Sequence, residues 1–501
     1  MKTKERKAGV LLHPTSLPGR WGIGDIGENA YKFADKLADA GVGLWQVLPL
    51  GPTGFGDSPY AARSTFAGNE LLISPDRLYE DGWLELEDIL VKTEESSRVD
   101  YNAARSVKMP LLRKAALAFL EKPASDYETF CREKAWWLYD YALYQVLCEQ
   151  CNDSRWFSVW DEELRKRDAG ALAEERAKYS EEIELYKVYQ YFFFTQWKAL
   201  KAYVNGKGIR IIGDIPIFVA PDSADAWTNT RLLKIDENGH QEVSSGVPPD
   251  AFSSTGQLWG NPLYRWQEHE KTGFAWWISR LRETLGLCDI VRIDHFRGFA
   301  ACWEVPADED TAMNGRWVPS PGQKLLDAFR AEFGGSLPVI AEDLGVITPD
   351  VEALRDDNGL PGMKILQFAF SISSKDGEID ASNAYLPHNV DENSVIYTGT
   401  HDNDTTLGWY LSQDDRMKDI VRRYFEAGDE DIVYRFIRAA LSARSRYAII
   451  PFQDVLGLGS DARMNVPSTC GSSNWSWRMS QGMLDDDNFG RLKYYIRMYN
   501  R

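Results

Sequence analysis

Asp289-Ile-Val-Arg-Ile-Asp-His-Phe-Arg-Gly298 opens with an apolar, β-branched run (Ile290, Val291, Ile293) and then breaks abruptly into charge at Asp294, His295 and Arg297. A short apolar run that fills its length and stops at turn residues reads as a buried parallel strand. Ionisable residues packed at its end read as a site at the strand's carboxyl edge, where α/β folds carry their chemistry. Two further stretches share this grammar. Pro338-Val-Ile-Ala-Glu-Asp-Leu-Gly345 ends on Glu342 and Asp343, and Val395-Ile-Tyr-Thr-Gly-Thr-His-Asp-Asn-Asp404 ends on His401, Asp402 and Asp404. Three strands ending in acids predict one carboxylate-lined pocket.

Outward from these three, strand-like runs begin near residues 9, 44, 209, 289, 338, 363, 395 and 447, with the sixth spanning 363–370. Helical patterns separate most of them, at 28–40, 265–286, 322–333 and 430–444. Such alternation predicts a parallel sheet, and eight units predict a closed (β/α)8 TIM barrel. A length of 501 residues would by itself suggest several domains, but barrels of this class exceed 400 residues once they carry insertions. Residues 1–501 therefore read as a single catalytic barrel. The mainly helical, highly charged segment 53–190 reads as an insertion between strands 2 and 3. The segment 221–262, with Asn238-Gly239 and Pro248-Pro249, is too polar and turn-rich for regular structure and reads as a lid-like loop over the site. Gly22-x-Gly24-x-x-Gly27 after the first strand lacks an acidic strand end about 20 residues on, so a plain βα loop is the better reading than a dinucleotide loop.

Composition narrows the partners. The formal net charge of −18 argues against nucleic acid or an anionic membrane, since both demand a basic face. Eighteen Trp, 23 Tyr and 22 Phe exceed what a core needs, and the faces of Trp and Tyr suit sugar rings. No apolar run reaches the 18 residues of a membrane span, and six cysteines are too sparse for a disulfide scaffold. Cys148-x-x-Cys151 has no second pair to complete a zinc site. A reducing cytoplasm is the expected compartment.

A carboxylate cluster at one barrel rim supports glycosyl transfer by two carboxyl groups, or metal-assisted chemistry with the acids as Mg²⁺ ligands. For any single acid, capping a helix or pairing with an arginine is the commoner role. Against these alternatives stand long motifs in order: Leu12-His-Pro-Thr-Ser-Leu-Pro-Gly19, Gly56-Asp-Ser-Pro-Tyr60, Gly213-Asp-Ile-Pro-Ile217, Gly256-Gln-Leu-Trp-Gly-Asn-Pro262, Ile290-Val-Arg-Ile-Asp-His-Phe-Arg-Gly298, Ala341-Glu-Asp-Leu-Gly345 and Thr398-Gly-Thr-His-Asp-Asn-Asp-Thr-Thr406. Together they resemble the 4-α-glucanotransferases (amylomaltases, or disproportionating enzymes) of glycoside hydrolase family 77, over essentially the whole chain.

The resemblance implies a retaining transfer of α-1,4-glucan segments among maltooligosaccharides and starch- or glycogen-derived glucans, with no metal or organic cofactor. Asp294 would be the nucleophile, Glu342 the acid/base, and Asp402 the stabiliser of an oxocarbenium-like transition state. Arg292, two residues before Asp294 and so on the same strand face, would keep that carboxylate charged. His401 and Asp214 would contact the sugar at the cleavage site, with His295 a further contact. Trp259 and Tyr60 would stack on glucose units, and Asn465 would face Trp259 across the acceptor groove. Asp343 would point away and be structural. Relatives often carry an acid after Phe368-Ala-Phe370, where this chain has Ser371.

Overall fold

The structure, a computed structural model, describes residues 6–90, 96–249, 253–373 and 377–501. Residues 250–252 of the expected lid, 91–95 of the expected insertion and 374–375 of the Ser371 stretch lie outside the described residues.

Eight parallel strands form the barrel: Lys7–Leu11, Leu44–Gln46, Arg210–Ile215, Ile290–Ile293, Val339–Ala341, Gly362–Ile365, Ser394–Tyr397 and Tyr447–Pro451. Apart from the fifth and sixth, which form no ladder, each pairs with its neighbours in chain order, and the first pairs with the eighth through Lys7–Tyr447 to Leu11–Pro451. Between the fifth and sixth strands the Ala341 amide donates to the Pro361 carbonyl at 2.9 Å. Most strand residues are buried on both faces, which is why these segments read as continuous apolar runs and not as alternating ones. Surrounding helices turn one apolar stripe inward. Ile432–Ser442, for example, buries Ile432, Val433, Phe436, Ile437, Ala440 and Leu441.

The chain between the second and third strands is largely helical. Its longest helix, Ser180–Gly206, packs on Tyr101–Glu121, on Ala135–Cys151 and on the third strand. Two of its glutamines hold the segment 68–74. The Gln190 amide accepts from the Gly68 N–H at 2.7 Å and donates to the Gly68 carbonyl at 2.9 Å, and Gln196 repeats the pair on Ser74 at 2.7 and 3.1 Å. These side chains satisfy buried backbone groups that would otherwise need a strand partner.

Three expectations are corrected. The segment 221–262 is not irregular. It contains the helix Ala224–Thr228 and the strands Val243–Val247 and Gln257–Pro262, which join Ala301–Pro306 and Arg316–Pro319 in a four-stranded antiparallel sheet. Its Ser-Ser-Gly centre looks like a loop, yet it lies between two partners, Gln257–Pro262 close by and Ala301–Pro306 some 60 residues further on. The sixth strand stops at Ile365, and Leu366–Ala369 turns as a 3₁₀ helix. The helix expected at 265–286 is two helices, Trp266–Lys271 and Ala275–Leu287, divided by left-handed Gly273 (φ 57°) and Phe274 (φ 61°).

Candidate active site

The carboxyl end of the barrel gathers the acids. Arg292 lies buried on the fourth strand, in register with Asp214 on the third. Its planar fork reaches two carboxylates at once: Nη1 donates to Asp214 Oδ2 at 2.6 Å and Nη2 to Asp294 Oδ1 at 2.8 Å. Burial works against the Arg292 charge, but Asp214 and Asp294 outweigh it and raise its pKa well above the usual value. The Tyr60 hydroxyl also donates to Asp214 Oδ2, at 2.8 Å. The Asp214 side chain has no exposed surface. It lies beneath the cleft, bonded to Arg292 and Tyr60.

Glu342 directly follows the fifth strand. Its Oε2 accepts from the His295 N–H at 2.6 Å and its Oε1 from the Leu344 N–H at 2.8 Å. His295 adopts a left-handed backbone, φ 50°, uncommon for a residue with a side chain and concentrated at functional sites. Burial, and after it the negative Asp294, push the Glu342 carboxyl up to about 8, against the pull of Arg292 and the two N–H donors. Glu342 thus holds its proton more tightly than a free carboxyl does, as a general acid working near neutral pH must. Asp343 turns away, accepting from the Met363 N–H at 2.7 Å and pairing with Arg355.

Asp402 lies five residues beyond the seventh strand, and its side chain is 43% exposed to the cleft. Asn465 Nδ2 donates to its Oδ1 at 2.7 Å, and His401 Nε2 lies 3.4 Å from its Oδ2. The buried His401 ring stacks on Tyr60 with centroids 5.1 Å apart and planes 12° from parallel. Burial lowers its pKa, and its Nδ1 has no hydrogen-bond partner among the described residues. Trp259, 38% exposed on the edge strand of the small sheet, meets the His295 ring edge-on at 4.7 Å. Burial pushes His295 down to about 4, so its ring is neutral at pH 7.

All ten expected site residues thus meet in one connected network. Asp214 is enclosed beneath the cleft, and Asn465 is bonded to Asp402. Three more residues belong to the assembly and were not expected. Arg463 Nη2 donates to the Asp402 carbonyl at 2.7 Å. The Trp475 ring lies 5.7 Å from Tyr60 and 5.9 Å from His401. His13, at the end of the first strand, is buried and pushed down to about 3 by burial and by His401. His13 obeys the same grammar of an ionisable residue after an apolar run, so that signal was present. Arg463 and Trp475 sit in loops with no periodicity to mark them. Among the described residues, no group of three or more His, Cys, Asp or Glu is arranged to hold a metal ion.

Comparison with known proteins agrees with this geometry. A family model described as 4-alpha-glucanotransferase matches residues 12–484. A 4-alpha-glucanotransferase of Thermus thermophilus is 48% identical over 97% of both chains, and one of Synechocystis is 46% identical over 99% of this chain and 98% of its own. A chloroplastic/amyloplastic 4-alpha-glucanotransferase of Solanum tuberosum is 45% identical over 96% of this chain and 84% of its own. Among solved structures, an amylomaltase from Streptococcus agalactiae in complex with acarbose superposes with a TM-score of 0.94 at 39% identity, covering 99% of this chain and all of its own. With a family model spanning nearly its whole length and relatives close to half identical throughout, the chain belongs to the 4-alpha-glucanotransferase family.

Proposed function

We propose that the chain transfers α-1,4-glucan segments to the 4-hydroxyl of an acceptor glucan or glucose, with retention of configuration, through a covalent glucosyl-enzyme. The observation that carries this reading is the buried Glu342 carboxyl, pushed up to about 8 beside an Asp294 gripped by Arg292. In the first step an Asp294 oxygen attacks the anomeric carbon while Glu342 gives its proton to the departing glycosidic oxygen. In the second, the Glu342 carboxylate takes the proton of the acceptor 4-hydroxyl, whose oxygen attacks the same carbon and releases Asp294. Two inversions amount to retention. Asp402 stabilises the positive charge that develops at the sugar ring, His401 and Tyr60 line that subsite, and Asp214 holds Arg292 and Tyr60 in position.

The small sheet bearing Trp259 and the loop 457–473 bearing Asn465 flank the acceptor side and favour a sugar hydroxyl over water. Maltooligosaccharides and starch- or glycogen-derived glucans are the substrates, in keeping with the relatives' names and the acarbose bound by the Streptococcus agalactiae protein. The acids and their arginine suffice for the chemistry, and activity is expected to survive exhaustive chelation.

The test follows purified protein acting on maltotriose. Transfer yields a ladder of shorter and longer maltodextrins plus glucose at constant total reducing ends. Reducing ends that climb with each turnover would make the protein a hydrolase, and an unchanged trisaccharide would exclude both. A glucosyl adduct on Asp294, captured by mass spectrometry in the Glu342→Gln variant from a maltosyl fluoride donor, whose fluoride leaves without the acid, tests the covalent step separately.

A further inference from the structure

Asp402 is the least supported of the three acids by regular structure. The seventh strand ends at Tyr397, and the carboxylate stands on a run of turns half open to solvent. The ends of that run are anchored elsewhere. Asp454 accepts from Thr398 Oγ1 at 2.5 Å and from the Thr406 N–H at 2.7 Å, and Asn403 closes a turn on the Thr400 N–H at 2.8 Å. The middle is gripped by Arg463, on the loop after the eighth strand. Its Nη2 donates to the Asp402 carbonyl at 2.7 Å, and its Nε donates to the Asn465 carbonyl at 2.7 Å. Asn465 in turn holds the Asp402 carboxylate through Nδ2, also at 2.7 Å.

We propose that Arg463 is a positioning residue for the transferase reaction: its guanidinium fixes the spacing between the Asp402 and Asn465 main chains and so aims the Asp402 carboxylate. This rests on the reading of Asp402 as the transition-state stabiliser. Both bonds run to backbone carbonyls and not to the carboxylate, so the contribution is one of geometry. Nε and Nη2 form one rigid edge of a planar group, and two carbonyls bound to that edge are held at a set separation. A lysine ammonium offers a point charge on a flexible stem and no such ruler. The precision matters because a misplacement of about 1 Å in a reacting constellation costs on the order of 100-fold in rate. The arrangement also ties the acceptor-side loop to the acid that stabilises the charged sugar, so a shift of that loop moves Asp402 with it.

The test is a double-mutant cycle on the full chain, read as kcat and KM for maltotriose disproportionation with acarbose inhibition in parallel. For Arg463→Met the expected result is a kcat lower by about 100-fold, a KM changed less than about threefold, and weaker acarbose inhibition. Arg463→Lys should recover less than about a tenth of the lost rate. In an Asp402→Asn background, Arg463→Met should cost less than about threefold more, because the group it aims is already gone. Additive losses in the double variant would overturn the proposal, as would full activity in Arg463→Lys, which would show that charge suffices. If Arg463→Met does not fold, the same cycle with Arg463→Lys decides, since the lysine keeps the charge and the aliphatic stem. Full activity in Asp402→Asn alone would instead refute the role given to Asp402.

Discussion

Glu342 must hold a proton at neutral pH and release it within one catalytic cycle, and its surroundings set that balance. Burial and Asp294 drive its carboxyl up to about 8, while two backbone N–H groups and Arg292 keep the ionised form within reach. The first step needs the protonated form, so kcat/KM for maltotriose is expected to fall as pH rises through about 8. A profile flat to pH 9.5 would remove Glu342 from the role of acid. Stability carries the same signature. The folded carboxyl binds its proton far more tightly than the unfolded one, whose ordinary value is 4.5. Its stabilising contribution is therefore fully present below about 4.5 and is lost as pH rises through about 8. Glu342→Gln, neutral at every pH, should raise Tm relative to the parent at pH 9 and change it little at pH 4.5. Thermal unfolding at the two pH values checks this, and an equal difference at both would contradict it.

At the scale of the element, segments with little regular structure of their own are held by neighbours that have it. Gly68 lies between the two polar atoms of Gln190 and against the Phe193 ring, so a Cβ there would come within 1.9 Å of Phe193 Cδ1. Gly68→Ala should displace the segment that leads on from Tyr60. Lower Tm and lower kcat are expected together, with a stability loss of about 1–3 kcal/mol as is usual for overpacking. The edge strand Gln257–Pro262 supports Trp259 in the same fashion. Trp259→Ala should weaken acceptor use about tenfold, equivalent to ~1.4 kcal/mol, and raise the reducing ends formed per turnover, which a reducing-sugar assay counts directly. The eight barrel strands were legible because a strand buried on both faces writes a continuous apolar run. Asp294 and Glu342 stood out because charge follows that run at once, whereas Asp402 stands five residues beyond its strand. Strand Val243–Val247 was not legible, because Ser244, Ser245 and Gly246 take their order from strands on both sides, Gln257–Pro262 and Trp303–Val305, and not from an apolar pattern of their own. Nor was Arg463 legible, whose importance lies in two carbonyls, one of them 61 residues away, that no local pattern announces. Asp214 was expected at the carboxyl end of its strand, but its enclosure under Tyr60 depends on a loop from another part of the chain.

Over the whole molecule, the net charge of −18 and the neutral chemistry of a glucan imply an encounter without electrostatic steering. Salt screens exposed charges beyond about 10 Å at 0.1 M, and buried pairs much less. Transfer from maltotriose should therefore change less than about twofold between 0.02 and 0.5 M NaCl, and a steep dependence would reveal a charged step in binding. The pairing of the first barrel strand with the eighth bears on how the protein is made. Lys7–Leu11 finds one neighbour in Leu44–Gln46, but the other, Tyr447–Pro451, lies roughly 440 residues later. A ribosome adding about 5–20 residues per second needs on the order of 20–90 s to deliver it. Through that interval Lys7–Leu11 keeps one row of backbone N–H and C=O groups unpaired, a template for pairing with any other exposed strand. Cover for Lys7–Leu11 by the helices that follow is therefore expected to matter until Tyr447–Pro451 has emerged.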